Sequence, residues 1–204
     1  MKLYNSIGPN PKAVRMFAAE LGTELELHEI DLMAAENRQE DFLRLNPAGQ
    51  LPALELENGE ILTEITAICE YLDEKAGSTS LVGTTPEERA ETRMWARRID
   101  LGIIENMLNG FRFGEGKELF AGRMTLIPQA ADDLKAVAQE KLTWLDTQMA
   151  GKDYACGDRF TLADIMLYAC LEFGVQMAAQ ELNENNANIM AWWERVSARP
   201  SASA

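Results

Sequence analysis

The chain has 204 residues, of which 47% are hydrophobic, enough for one large domain or two small ones with a sizeable core. Its formal charge of −14 and pI near 4.5 disfavour nucleic acid and anionic membranes as partners. Three cysteines far apart in sequence (Cys69, Cys156 and Cys170) and a single histidine, His28, argue against a disulfide framework, a zinc site or a histidine-rich metal centre. The N-terminus is polar by residue 5, and no stretch is apolar enough to span a bilayer, so the expectation is a cytoplasmic protein with buried free thiols.

In chain order, Lys2-Leu3-Tyr4 reads as a short strand. Ile7-Gly8-Pro9-Asn10-Pro11 then interrupts regular structure, with Asn10 suited to a helix N-cap and Pro11 to the first helical position. Apolar residues at 14, 17, 18 and 21 predict a helix that Gly22 ends. Leu25, Leu27 and Ile30 alternate with Glu26 and His28 as in a strand, and His28 reads as an exposed strand position. Residues 34–45 form a weaker helical stretch. Residues 51–56 and 60–62 flank Asn58-Gly59 as a hairpin. Apolar positions 65, 68, 71 and 72 predict a helix from Glu64 to Lys75.

Residues 77–86 read as a linker between a first domain, 1–76, and a second, 87–204. The second contains no convincing strand. It reads as one long helix over 87–109 with Trp95, Ile99 and Ile103 on its apolar side, another over 123–149 interrupted near Pro128, a third over 161–179 and a last over 189–198. Thr161 and Asp164 form a capping-box pattern, flanked by Phe160 and Ile165 as a hydrophobic staple.

The stretch Asn46-Pro47-Ala48-Gly49-Gln50-Leu51-Pro52-Ala53-Leu54 turns the chain and feeds a strand. A proline entering a strand from a tight turn suits a cis peptide bond. That bond, Leu51–Pro52, would leave the Leu51 backbone open to an extended, peptide-like ligand. Together with Asn58-Gly59, Glu64, the opening Met1-Lys2-Leu3-Tyr4 and the late segment Gly157-Asp158-Arg159-Phe160-Thr161-Leu162-Ala163-Asp164, this stretch resembles the cytosolic glutathione transferases. The match covers nearly the whole chain. It implies an α/β thioredoxin-like N-terminal domain with a mixed four-stranded sheet, followed by an all-α C-terminal domain. It also implies glutathione as co-substrate, no metal, a small hydrophobic electrophile, a detoxification role and a homodimer.

The resemblance implies specific site residues. Leu51 and Pro52 would hold the cysteinyl backbone of glutathione. Glu64 would take its ammonium group. The Ser that follows this Glu in the family is replaced by Ile65, whose backbone N–H can still meet the carboxylate, with Thr66 beside it. Gln50 and Arg38 would reach the glycyl carboxylate. The thiol, with an ordinary pKa of about 8.5, needs a donor at the sulfur. The loop after the first strand holds no Cys, and Asn10 stands where the bacterial cysteine-type members carry theirs. Asn10 or Ser6 is the candidate donor, and Asn10 reads equally as a plain N-cap. The loop resembles a yeast-type, fungal and bacterial branch without a conventional Tyr, Ser or Cys. Met107, Phe111, Arg112 and Phe113 could line an electrophile pocket or belong to the core. The leading expectation is transfer of the glutathione thiol to an apolar electrophile. The alternatives are a glutathione-dependent disulfide reductase or peroxidase, and a non-catalytic ligand-binding protein.

Overall fold

Leu3 and Tyr4 are adjacent on a strand and point to opposite faces, yet both are buried, because β1 (Lys2–Asn5) lies inside a sheet covered on both sides. The computed structural model describes residues 1–204 and contains two compact units, Met1–Thr79 with Pro200–Ala204, and Ser80–Arg199. In the first unit β1 pairs parallel with β2 (Glu26–Glu29) and antiparallel with β3 (Ala53–Glu55), which pairs antiparallel with β4 (Ile61–Thr63). The order β2-β1-β3-β4 is a mixed four-stranded sheet. The helices of this unit are α1 (Pro9–Leu21), the short α2 (Glu40–Leu45) and α3 (Ile65–Lys75). The contacting helices α1 and α3 bury Val14, Phe17, Ile68 and Leu72. Tyr4, Ile30, Phe42 and Ala53 form a separate apolar cluster, edged by Leu45, Leu51 and Ile61.

Several local expectations change. The N-cap of α1 is Gly8, not Asn10. Gly8 has φ 129° and ψ 165°, which suits glycine, and Pro9 takes the first helical position, two residues earlier than Pro11. Strand β2 was expected to bury one face, but it is an edge strand with all four residues exposed, Leu27 included. His28 is exposed as expected, its ring edge-on to Tyr4 at 5.2 Å. The helix expected over 34–45 is broken into a 3-10 turn, Glu36–Arg38, and α2. The cause is local: Asp31 Oδ1 accepts from Met33 N–H and Ala34 N–H, and Ala35 is left-handed at φ 57°.

The second unit is helical. It comprises α4 (Pro86–Ile99), a π-helical turn Asp100–Ile104, α5 (Glu105–Phe113), α6 (Lys117–Phe120), α7 (Ala131–Gln148), α8 (Leu162–Met177) and α9 (Ala187–Ser197). The helix expected over 87–109 is thus an α–π–α run, and Trp95, Ile99 and Ile103 are buried along it. The helix expected from Arg123 starts at Pro128, which opens a 3-10 turn into α7 as a proline at a first helical position should. The expected linker is not free chain. Leu81 and Val82 are buried, and Leu162 N–H donates to Leu81 C=O at 2.9 Å, so the second unit begins at Ser80. Pro200–Ala204 belongs to the first unit and not to the second, with Ala202 buried and Ser201 Oγ donating to Glu20 Oε1.

Asp164 is fully buried at the start of α8. Its carboxylate accepts from Thr161 N–H at 2.9 Å, Ala155 N–H at 2.9 Å, Trp192 Nε1–H at 2.9 Å and the Thr161 hydroxyl at 3.1 Å. The Asp164 N–H also reaches Thr161 C=O at 3.0 Å. The expected capping box is formed in both halves, the Thr161 side chain meeting the Asp164 N–H and the Asp164 carboxylate meeting the Thr161 N–H. Burial pushes the Asp164 carboxyl above its ordinary pKa, against these bonds. Asp164→Ala would strand the Thr161, Ala155 and Trp192 donors in the interior. It should cost on the order of 3 kcal/mol or more in urea unfolding, while Asp164→Asn, which keeps one acceptor, should cost less.

Candidate functional site

The sheet register brings separate segments to one end. Ala53 is paired with Tyr4 on one side and with Thr63 on the other. The residues just beyond are Asn5, the last of β1, and Ser6 after it, Pro52 and Leu51 before β3, and Glu64 after β4. The starts of α1 and α3 follow from the same end. Ser6, Asn10, Leu51, Pro52, Glu64, Ile65 and Thr66 are thereby gathered from stretches far apart in sequence.

The loop 46–52 is held by two buried amides that sequence reasoning passed over. Asn46 Oδ1 accepts from Ala48 N–H at 3.1 Å, and its Nδ2 donates to Gln50 C=O at 2.8 Å. Asn37 Nδ2 donates to Gly49 C=O at 2.7 Å. Asn before Pro, with a bond two residues on, is an Asx turn, and that was the available signal for Asn46. Nothing local marks Asn37, because its partner lies 12 residues away. Gly49 has φ 61°, and a Cβ there would lie 3.0 Å from Asn37 C=O and from Arg38 Nη1, so only glycine fits without displacement. Arg38 is exposed and its Nη1 reaches Ala48 C=O at 3.4 Å, so it lies along this loop. The Leu51–Pro52 bond is cis, and the Leu51 N–H and C=O form no hydrogen bond within the chain.

The two helix starts differ in what they offer an anion. Pro9 and Pro11 have no N–H, and Lys12 N–H is turned to Gly8 C=O at 3.4 Å. Among the first residues of α1, only Asn10 presents a backbone N–H. Its side-chain amide, half-buried, has no partner within the chain. Ser6 is 3% exposed and its hydroxyl is turned to Ile7 C=O at 3.2 Å. At α3 the N-cap is Glu64, exposed, with no side-chain cap bond. The N–H groups of Ile65, Thr66 and Ala67 are therefore uncapped, with no acidic residue in the first turn to compete for the dipole. Glu64 stands at φ 70° and ψ 127°, a strained conformation for a residue with a Cβ.

The chain's own sulfur is not available. Cys69, Cys156 and Cys170 are all buried. Burial pushes Cys69 and Cys156 up, and Cys170 up to about 12. Tyr4 is equally committed: its hydroxyl donates to Glu55 Oε2 at 2.8 Å, and burial, with that carboxylate, raises its pKa. In the helical unit Met107 and Phe113 are core residues, 1% and 8% exposed, and Met107 Sδ meets Cys170 Sγ at 3.9 Å. They face the interior, which removes them from the expected pocket lining. Phe111 and Arg112 remain half-buried.

Comparison with known proteins gives the same assignment along the whole chain. Residues 1–74 match the family described as "Glutathione S-transferase, N-terminal domain", and residues 120–200 match "Glutathione S-transferase, C-terminal domain". The chain is 31% identical to "Glutathione S-transferase 2" of Saccharomyces cerevisiae, over 98% of this chain and 87% of that one. It is 28% identical to "Glutathione S-transferase GstA" of Escherichia coli O157:H7, over 98% and 94%. Among solved structures it superposes on Gtt2 from Saccharomyces cerevisiae with a TM-score of 0.92 at 29% identity, covering 100% of this chain and 99% of that one. A glutathione S-transferase domain-containing protein of Marinobacter aquaeolei gives a TM-score of 0.90 at 36% identity, covering 98% and 99%. Matched by both family models and by relatives along nearly its full length, the chain belongs to the glutathione S-transferase family and is a glutathione transferase.

Proposed function

We propose that glutathione lies along the loop before β3, its cysteinyl backbone paired with the N–H and C=O of Leu51. The observation that carries this reading is the uncapped start of α3 beside an unpaired strand-entry backbone. The three N–H groups at Ile65, Thr66 and Ala67 suit the γ-glutamyl carboxylate, and the exposed Glu64 carboxylate suits the ammonium group. A backbone N–H does for the carboxylate what the missing Ser hydroxyl would do, so Ile65 is tolerated. Gln50 and Arg38 stand near the glycyl end of such a ligand.

The thiol is activated at Asn10. Its backbone N–H and its unpaired side-chain amide are the donors that the start of α1 offers, and both favour a thiolate over a thiol. Ser6 is the weaker candidate, since its hydroxyl is buried and already placed on Ile7 C=O. The thiolate sulfur then bonds to an electrophilic carbon, and the leaving group departs with its electron pair. Holding both reactants supplies most of the rate. The electrophile is small and largely apolar, and the helical unit takes it against Phe111 and Arg112. A cytoplasmic setting, rich in reduced thiols, and a detoxifying role fit this chemistry. The assembly is a homodimer, a reading supported by the apolar Met94 and Leu101, 40% and 52% exposed and two turns apart on the long helical run.

Asn10→Ala should raise the pKa of bound glutathione, read by ultraviolet thiolate titration, and lower kcat more than glutathione affinity. Ser6→Ala should leave the titration in place; the reverse pattern would make Ser6 the activator. Glu64→Gly separates function from folding. Removing the carboxylate should weaken glutathione binding by about 10-fold to 100-fold in calorimetry. Thermal stability should hold or rise slightly, because glycine relieves the positive φ. Light scattering at micromolar concentration should return the dimer mass; a monomer would refute the assembly.

A further inference from the structure

Two half-buried arginines of the helical unit are held by acids. Arg159 is paired with Glu91 at 2.8 Å, and Arg195 with Asp153 at 3.0 Å. Arg112 has no such acid. Its Nη1 donates to Asn109 Oδ1 at 2.9 Å, and its Cζ lies 5.9 Å from the centre of the Phe120 ring. The exposed Glu105, two turns back on α5, spends its Oε1 on Asn109 Nδ2 at 2.8 Å and leaves the guanidinium to the amide. A guanidinium presents five N–H donors in a planar fork. Here most of that fork meets no acceptor in the protein; Glu105 favours the charge only through its field, without an ion pair, and a partly desolvated cation held so is costly to keep. Burial accordingly draws the Arg112 pKa below its ordinary value.

The surroundings are aromatic. Phe111 packs edge-on against Phe120 at 6.3 Å and against Phe173 at 5.0 Å, with interplanar angles of 85° and 90°. All three rings are half-buried, so each keeps accessible surface. A cation with spare, forked donors stands beside rings that are only partly covered. The geometry points to Arg112 as the specificity-determining residue for electrophiles built as an aromatic ring bearing a carboxylate. The fork takes the carboxylate in two parallel bonds, and the Phe111, Phe120 and Phe173 rings take the aryl body. This rests on the reading that the helical unit binds the electrophile. Carboxylate matches the planar fork better than a single-point acceptor does, and Lys could not reproduce it.

A matched pair of electrophiles tests this: a chloronitrobenzoate and its methyl ester, each conjugated to glutathione with loss of chloride, each kcat/KM divided by the uncatalysed rate with glutathione thiolate. The wild-type protein should favour the acid by at least about tenfold. Arg112→Met should abolish that preference, mainly through KM, while the ester falls no more than about threefold. Arg112→Lys should cut the preference by about threefold or more, and decides the matter if Arg112→Met does not fold. No acid preference in the wild type, equal losses for acid and ester in Arg112→Met, or an undiminished preference in Arg112→Lys would overturn the assignment of Arg112 alone. Failure to conjugate either electrophile by protein that binds glutathione would overturn the helical unit as the electrophile site, and this inference with it.

Discussion

Strand β3 is held between β1 and β4 with Ala53 opposite both Tyr4 and Thr63, and the first unit depends on that pairing. Side chains alternate along a strand, so a slip of one residue would exchange the faces of Leu54 and Glu55 and carry the Glu55 carboxylate onto the face that now buries Leu54. The same slip would separate Pro52 from Glu64 and from the end of β1. Tyr4 locks the register from the side: its hydroxyl meets Glu55, which also pairs with Lys2 at 3.2 Å. Its ring packs edge-on against Phe42 at 6.0 Å. Once this register is set, the unpaired Leu51 backbone and the open starts of α1 and α3 fall at one end of the sheet without further instruction.

Both units rely on buried polar groups to fix the turns that the sheet and helices cannot fix themselves. Asn37 and Asn46 pin the loop before β3 by accepting and donating to backbone at Gly49, Ala48 and Gln50. Asp164 collects donors from Thr161, Ala155 and Trp192 at the start of α8. Such groups contribute modestly when satisfied and cost much when stranded, so they specify one arrangement over near alternatives. The loop before β3 is thus pinned next to the unpaired backbone of Leu51. Glu64 carries backbone strain, its positive φ held by the strand before it and the helix after it.

Cationic side chains divide along the same line. Arg159 and Arg195 have acids and serve packing. Arg112 has an amide and a ring, and no ion pair. At the other unit, α1 begins with prolines that remove N–H donors and so narrow the positive end of the helix to Asn10. An ordinary helix start would offer several equivalent donors to an anion. Here a single residue supplies both a main-chain and a side-chain donor.

The sequence alone determined what depends on neighbours along the chain. The Asn58-Gly59 hairpin, the helices ended by Gly22 and begun at Thr161, the strand entry at Pro52 and the order of strands and helices are local signals, and they were legible residue by residue. Local signals failed where two of them competed. Gly8 and Pro9 took the helix start from Asn10 and Pro11. An Asx turn at Asp31 broke the helix expected over 34–45, and the alternation in Leu25–Ile30 fell on an exposed edge strand. Tertiary structure decided what depends on partners distant in sequence. Asn37 meets Gly49, Trp192 meets Asp164, the last five residues return to the first unit, and Met107 and Phe113 are claimed by the core while Arg112 is left without an acid. The physical reason is the same in each case: periodicity and turn chemistry state which face of an element is apolar, but burial and pairing are properties of what arrives on the other side.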